Sequence, residues 1–269
     1  MGLKLLRRAK TLIFAILVLA AAPGCNIQSG RSHYVLAERL FNDQKYQAAL
    51  GEFKKVVEND PKSQIAQQAL FRIATIQYLY VSDYADAVKS FRQFTFLSQD
   101  TGLVYESEKN IGEVLFSKLE DYKGAVEQYT RLIGKYPDSK EKGFFQFRMA
   151  KSHYNLLKFE DAIKGFGKVV AESTDPALKE ESLYQIGNSL YTKGDYEQAI
   201  DAFEDLLVGF PKGKYAIFAQ FGMAVCYEEL EQLDEAFRIY ESIKDKYPER
   251  GVLELKLKRV SERRSHRNR

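Results

Sequence analysis

One pattern recurs through the chain at a nearly constant interval, and it constrains the fold more than any other feature. An aromatic residue or Leu is followed three positions later by Ala in six places: Tyr46/Ala49, Tyr84/Ala87, Tyr122/Ala125, Phe159/Ala162, Tyr196/Ala199 and Leu233/Ala236. Successive copies are 37 or 38 residues apart. A fixed period in this range indicates a solenoid of stacked supersecondary units, none of which buries its apolar face alone.

Other positions keep the same register. A small residue precedes each pair by nine or ten positions: Ala37, Ala74, Gly112, Ala150, Gly187 and Ala224. An aromatic residue follows each Ala by four: Phe53, Phe91, Tyr129, Phe166, Phe203 and Tyr240. Four copies have a proline twelve residues after the Ala: Pro61, Pro137, Pro211 and Pro248. Small residues let two helices approach closely, and proline cannot continue a helix interior. Each unit is therefore predicted to be a helix pair, such as 183–192 and 196–208.

This pattern resembles the tetratricopeptide repeat over residues 33–250. The resemblance implies an all-α fold, a right-handed α-solenoid of six helix pairs, at 33–62, 63–100, 101–138, 139–175, 176–212 and 213–249. A capping helix at about 252–262 is predicted within the segment 251–269, because Leu253, Leu257 and Val260 have helical spacing. The copies are longer than the usual repeat of about 34 residues. The extra residues precede each first helix and are expected to lengthen it by about 4.5 Å.

Two irregularities refine this prediction. The second and third copies have one residue more between the small residue and the Tyr-type position, which predicts a longer turn between their two helices. The second and fourth copies have Gln99 and Thr174 where the others have proline. A weak domain boundary is therefore predicted near 98–104, dividing two repeats from four.

The N-terminus has the features of a targeting segment. Four basic residues precede the apolar run 11–22, which is too short to span a bilayer and typical of a signal peptide. The sequence then reads Ala22-Pro23-Gly24-Cys25, which resembles a bacterial lipobox with acylation at Cys25. The segment 1–24 is thus predicted to be a lipoprotein signal peptide and 25–32 a short tether of at most about 25 Å. An ordinary cleaved signal and an uncleaved anchor are the alternatives.

The long repeats and this N-terminus together resemble bacterial envelope lipoproteins of the BamD (YfiO) type. That resemblance implies a lipid-anchored scaffold on the periplasmic side of the outer membrane, acting in outer-membrane protein assembly. Its expected partners are other envelope proteins, such as β-barrel assembly subunits or unfolded outer-membrane clients. A cell-envelope or division coordinator of the Tol–Pal-associated type is the alternative.

Charge and composition exclude other classes of function. The first 25 residues have four basic and no acidic side chains, and residues 254–269 have seven basic and two acidic, so the body between them is net acidic. Without a basic stripe, nucleic acid is not an expected partner. The three histidines lie in unrelated contexts, Cys226 has no His nearby in its repeat, and the carboxylates follow helical exposure. No enzymatic activity, metal or cofactor is predicted.

Aromatic residues in the first helices are the candidate binding site. Ten aromatic residues stand three before or four after the small residue: Tyr34, Phe41, Phe71, Tyr78, Phe116, Phe147, Tyr154, Tyr184, Tyr191 and Phe221. Lys151, Asn155 and Asn188 lie beside them, where they could bind peptide carbonyls or a chain terminus. A stripe at helical spacing is usually core, so inter-helix packing is the alternative to contact with an extended peptide. The basic C-terminal segment 261–269 is expected to be frayed and solvated, or else to contact lipid head groups or an acidic patch.

Overall fold

The computed structural model describes residues 23–267, with side chains from residue 29 onward, so the predicted signal peptide lies almost wholly outside the described residues. The described part contains thirteen α-helices and no strand. These helices are α1 Pro23–Asn42, α2 Tyr46–Asn59, α3 Gln64–Leu79, α4 Tyr84–Leu97, α5 Thr101–Ser117, α6 Tyr122–Lys135, α7 Lys142–Asn155, α8 Phe159–Glu172, α9 Pro176–Lys193, α10 Tyr196–Gly209, α11 Ala216–Glu229, α12 Leu233–Ile243 and α13 Arg250–Arg267. The all-α prediction of six helix pairs and a final helix is confirmed.

The chain divides into two compact units, one ending at Ser82 and the other beginning at Asp83. The first unit contains α1–α3, and the second contains α4–α13, in which each helix from α4 onward packs against the next. The boundary predicted near 98–104 is therefore wrong. The missing proline at Gln99 does not separate the repeats, because α4 buries Ala87, Val88 and Phe94 and packs against α5.

The conserved register of the repeat forms the core. All six small residues, all six Ala residues and all six aromatic residues after them are buried. A Cβ built on Gly187 would overlap the ring of Phe203, and one on Gly112 would lie 2.9 Å from Tyr129 Cε1. The small residue is therefore required because the aromatic side chain of the second helix lies directly against the first helix.

The turn inside each helix pair also repeats. Six equivalent residues, two before the second helix, have positive φ: Gln44, Ser82, Glu120, Leu157, Gly194 and Glu231. In the five pairs whose two helices lie within one unit, this left-handed residue reverses the chain direction. The turns of the second and third pairs, 80–83 and 118–121, have four residues and the others two or three, so the predicted extra residue is confirmed.

Four boundaries differ from the sequence prediction. Helix α1 begins at Pro23, so the predicted tether 25–32 is helical and its seven residues after Cys25 rise only about 10 Å. In the fourth and sixth repeats the extra residues lie in the turns 136–141 and 210–215, and α7 and α11 are not lengthened. Helix α13 continues to Arg267 because its basic residues form ion pairs with acidic residues of α11, α12 and the turn between them.

Candidate functional site

Most of the aromatic candidates are packed inside their own repeat. Those three before the small residue lie against the buried aromatic of the second helix, as in Tyr34–Phe53, with ring centroids 5.4 Å apart. The corresponding pairs are Phe147–Phe166, Tyr184–Phe203 and Phe221–Tyr240. Phe147 is buried, and the other three are half-buried. These rings therefore contribute first to packing between helices.

The aromatic residues four after the small residue pack on the first residue of the second helix. The pairs are Phe41–Tyr46, Phe116–Tyr122, Tyr154–Phe159 and Tyr191–Tyr196, with centroids 5.6–5.7 Å apart. Phe71 and Tyr78 of the second repeat are half-buried like the others. One side of each of these paired rings thus packs inside its own repeat, and only the other side can contact a ligand.

Two of those remaining faces are covered by arginine. Arg72 lies 4.7 Å above the ring of Phe41, and its Nε donates a 2.6 Å hydrogen bond to Glu38. Arg148 repeats this arrangement 4.5 Å above Phe116, with its Nη2 donating 3.1 Å to Glu113. Both arginines stand two before the small residue and contact the preceding repeat. Sequence reasoning missed this motif, although the shared register of Arg72 and Arg148 could have indicated it.

Among the described residues, no arginine lies over the corresponding rings of Tyr154 and Tyr191. At the arginine register the next repeats have Gln185 and Gly222, and neither is a cation. The Tyr154 hydroxyl makes a 3.2 Å hydrogen bond with Thr192 Oγ1 on the adjacent α9. Both rings are half-buried.

Five of the predicted residues lie on α7 and α9, two first helices that contact each other. We call these five residues the α7–α9 surface: Lys151, Tyr154, Asn155, Asn188 and Tyr191. Lys151 Nζ lies 3.7 Å from Glu181 of α9. Asn155 is exposed and Asn188 is half-buried, and among the described residues neither side-chain amide has a hydrogen-bond partner. The surface therefore combines two tyrosines with unpaired amides, which can donate to and accept from a peptide backbone. Phe147 and Tyr184 lie on the same two helices but pack against Phe166 and Phe203, and the other candidates lie on other helices.

Glu228 was expected to be a solvated carboxylate, and this is wrong. It occupies the register of Tyr154 and Tyr191 in the sixth repeat and is 5% exposed. Its Oε2 accepts hydrogen bonds from Tyr240 Oη at 3.2 Å and Lys256 Nζ at 2.8 Å, and its Oε1 accepts from Arg263 Nη1 at 3.1 Å. Burial, followed by the charge of Glu228, raises the pKa of the Tyr240 hydroxyl far above its usual value.

The expected fraying of the segment 261–269 is likewise wrong for its described residues. Arg263 Nη2 lies 2.7 Å from Glu231 Oε1, and Arg264 Nε donates 2.7 Å to Asp234. Arg267 donates to the Glu231 carbonyl at 3.0 Å. The acidic turn between α11 and α12 thus binds the basic end of α13, a contact between residues about thirty positions apart in the chain.

No described residues form a group of His, Cys, Asp and Glu that could hold a metal ion. Cys226 is fully buried, and burial raises the pKa of its thiol to about 12, so the thiolate needed for reactivity is scarce at neutral pH. Within residues 23–267, helices long and apolar enough to cross a membrane do not occur.

Comparison with known families confirms the type of repeat. Three segments match the tetratricopeptide repeat model: 110–139, 181–213 and 218–250. The chain contains tetratricopeptide repeats. The matched segments contain α10 and α12 and most of α9 and α11, and hence Asn188 and Tyr191 of the α7–α9 surface. A search of curated proteins found no match.

Solved structures with the same fold have low sequence identity. A chain of the Naa15/Naa10 complex bound to HypK-THB has a TM-score of 0.66 at 17% identity, covering 88% of this chain and 35% of that one. This protein therefore spans about a third of that chain. PilW, described as a type IV pilus biogenesis factor, has a TM-score of 0.53 at 17% identity and coverages of 87% and 98%. YrrB, described as a tetratricopeptide-repeat protein with an unusual peptide-binding site, has a TM-score of 0.51 at 19% identity and coverages of 74% and 96%. At such identities these similarities establish the fold alone.

Proposed function

We propose that this protein is a lipid-anchored scaffold on the periplasmic side of the outer membrane, where it binds an extended segment of another envelope protein during outer-membrane protein assembly. One observation supports this assignment of the binding site. Tyr154 and Tyr191 occupy the repeat position at which arginine covers the rings of Phe41 and Phe116. Beside them, the side-chain amides of Asn155 and Asn188 have no hydrogen-bond partner among the described residues. An extended peptide needs both apolar contact and backbone hydrogen bonds, and this surface offers both.

The N-terminal sequence supports the anchor. A basic segment, a short apolar run and Gly24-Cys25 together match a lipoprotein signal. The PilW structure gives a second candidate, pilus biogenesis, because it and this chain cover each other almost completely. The two candidates share the binding surface and differ in the partner.

Site-specific photocrosslinking in cells tests the binding surface. A benzophenone amino acid replaces Tyr154 or Tyr191 in turn, and the matched control replaces Val208 of α10, which is 84% exposed on a second helix. We expect adducts with an envelope protein from the first two positions and none from Val208. Beta-barrel assembly subunits among the adducts support the main proposal, and pilus proteins support the second candidate. Equal adducts from all three positions, or none, would overturn the assignment of the surface.

Substitution of the amides measures their contribution once a partner is identified. Asn155→Ala and Asn188→Ala each remove hydrogen bonds worth about 0.5–1.5 kcal/mol, so affinity should fall about two- to tenfold. The exposed Asn42 of α1 provides a control, and Asn42→Ala should leave affinity unchanged. Incorporation of a palmitate analogue, lost in Cys25→Ser, tests the anchor independently.

A further inference from the structure

The outward side of α1 is an uncovered face with mixed apolar and basic character. Ser32, Leu36 and Arg39 follow at intervals of four and three residues, so they lie on one side of the helix. All three are exposed, Leu36 by 43%, and the adjacent Val35 is 63% exposed. With Arg31 they line a continuous shallow depression, which we call the α1 face.

The same positions are covered in every other repeat. The residues equivalent to Ser32 are Ala69, Ser107, Phe145, Ser182 and Ala219, and those equivalent to Arg39 are Ile76, Val114, Ser152, Ser189 and Cys226. All ten are at most 1% exposed. There each first helix packs against the second helix of the preceding repeat. In the described part of the chain no helix precedes α1, so no described helix covers the α1 face.

The charge of this face suits an anionic surface. Residues 23–37 have no acidic side chain, and Arg31 and Arg39 flank the apolar pair Val35 and Leu36. Glu38, the first acidic residue of α1, is already paired with Arg72. Two copies of the protein joined through this face in antiparallel fashion would bring Arg31 of one near Arg39 of the other, and like charges oppose that contact.

The predicted acylation site lies on the same side of α1 as the uncovered face. Cys25 stands seven residues before Ser32 and eleven before Leu36 in the same helix. With 3.6 residues per turn, these three positions fall within about 40° of one another around the helix axis. The anchoring position and the uncovered face are therefore aligned along one stripe of α1.

From this alignment we propose that the α1 face lies on the anionic phospholipid surface of the membrane to which Cys25 is anchored. The proposal rests on the acylation of Cys25 proposed above. Acyl chains hold α1 at the bilayer, Val35 and Leu36 enter the headgroup region, and Arg31 and Arg39 bind lipid phosphates. A lipid anchor combined with basic residues gives more stable attachment than either alone. Helix α1 then lies along the membrane, and the orientation of the first unit is set by the lipid surface.

Fluorescence quenching on the acylated protein tests this orientation. The full protein is purified from bacterial membranes and reconstituted into vesicles of equal parts phosphatidylcholine and phosphatidylglycerol, or of phosphatidylcholine alone. An environment-sensitive fluorophore is attached through Ser32→Cys on the face, or through Val208→Cys as the exposed control; Cys226 is buried and does not compete. We expect the label at position 32 to be protected from aqueous iodide in the anionic vesicles and the label at position 208 to be quenched in both.

Charge reversal supplies a second measurement. Arg31→Glu and Arg39→Glu should each lower the ratio of protected to quenched label at position 32 at least about fivefold. A basic residue near an anionic surface contributes about 1 kcal/mol, which corresponds to that ratio. The matched control Lys54→Glu, on the exposed side of α2, should have no effect. Equal quenching at positions 32 and 208 in anionic vesicles overturns the proposal. Protection that persists in detergent and increases with protein concentration also overturns it, because it indicates a second copy of the chain on this face.

Failure of the anchor is distinguished by vesicle flotation and by acyl labelling. A protein that carries no acyl label and does not float contradicts both the anchor and the membrane docking. A protein that is acylated and floats, but whose label at position 32 is fully quenched, contradicts only the docking of the α1 face.

Discussion

The carboxylate of Glu228 lies 2.8 Å from the ammonium of Lys256, and this pair joins the last tetratricopeptide repeat to helix α13. In the five earlier repeats the position of Glu228 is aromatic, and in four of them the ring packs on the first residue of the second helix. Within the described residues α13 follows the sixth repeat, and the buried carboxylate accepts hydrogen bonds from Lys256, Arg263 and the Tyr240 hydroxyl. In the sixth repeat an ion pair with α13 thus takes the place of the aromatic contact.

Removal of this carboxylate should loosen α13. Glu228→Ala leaves Lys256 and the Tyr240 hydroxyl without their acceptor, and breaking a buried ion pair on one side costs about 3–5 kcal/mol. Urea denaturation should show that loss, and hydrogen exchange should show faster exchange in α13. The neighbouring Glu229 is exposed, so Glu229→Ala should change stability by less than about 0.5 kcal/mol. Equal stability of the two variants would contradict the role of Glu228.

Close approach at Gly187 predicts a second stability effect. The ring of Phe203 lies between Gly187 and Gly222, and a Cβ at Gly187 would overlap it. Gly187→Ala should therefore destabilise the fold by about 1–3 kcal/mol, as overpacking does. Gly167, inside α8, has open space around its Cα, so Gly167→Ala should stabilise by about 0.5–1 kcal/mol. Thermal unfolding of the two variants should show shifts of opposite sign, and shifts of one sign would contradict the packing argument.

The turn before α8 offers a stabilising substitution. Leu157 has φ of 58° and is 73% exposed, so its side chain gains little from burial while its backbone is in the left-handed region. That conformation costs about 1–2 kcal/mol for a residue with a Cβ. Leu157→Gly should raise the melting temperature, although the greater freedom of glycine in the unfolded chain offsets part of the gain. The equivalent Gly194 tests the reverse change, and Gly194→Ala should lower the melting temperature.

His153 makes stability depend on pH. Burial lowers the pKa of this imidazole, and the carboxylate of Asp161, 4.0 Å away, offsets only part of the effect. Below about pH 6.5 the unfolded chain binds a proton at this position that the folded chain does not, so the free energy of unfolding falls as the pH drops. Denaturation at several pH values should show a smaller acid loss for His153→Leu than for the native protein. His266 is exposed, and His266→Leu serves as the matched control.

The thiol of Cys226 should be unreactive in the folded protein. Its side chain is fully buried, and its pKa is raised to about 12. In a Cys25→Ser background, iodoacetamide should label the native protein far more slowly than the urea-unfolded protein. Rapid labelling under native conditions would show that α11 opens locally.

The sequence by itself determined the helix pairs, their core positions and the longer turns of the second and third repeats. Small residues, aromatic residues and prolines act within one helix pair or between neighbouring pairs, so their spacing is sufficient to place them. The sequence could also propose the aromatic candidates, because helical spacing groups them on the first helices. It could not show that Arg72 and Arg148 cover two of them, since those contacts join residues more than thirty positions apart.

Only the tertiary structure decided which surfaces are covered and which are open. Glu228 looks like any surface carboxylate in the sequence, and its burial follows from α13 folding back onto α11 and α12. The same reason explains why the described part of the basic C-terminal segment is helical. The division after Ser82 and the open side of α1 likewise depend on which helix packs against which. Such packing depends on many contacts between distant parts of the chain, so no local sequence pattern predicts it.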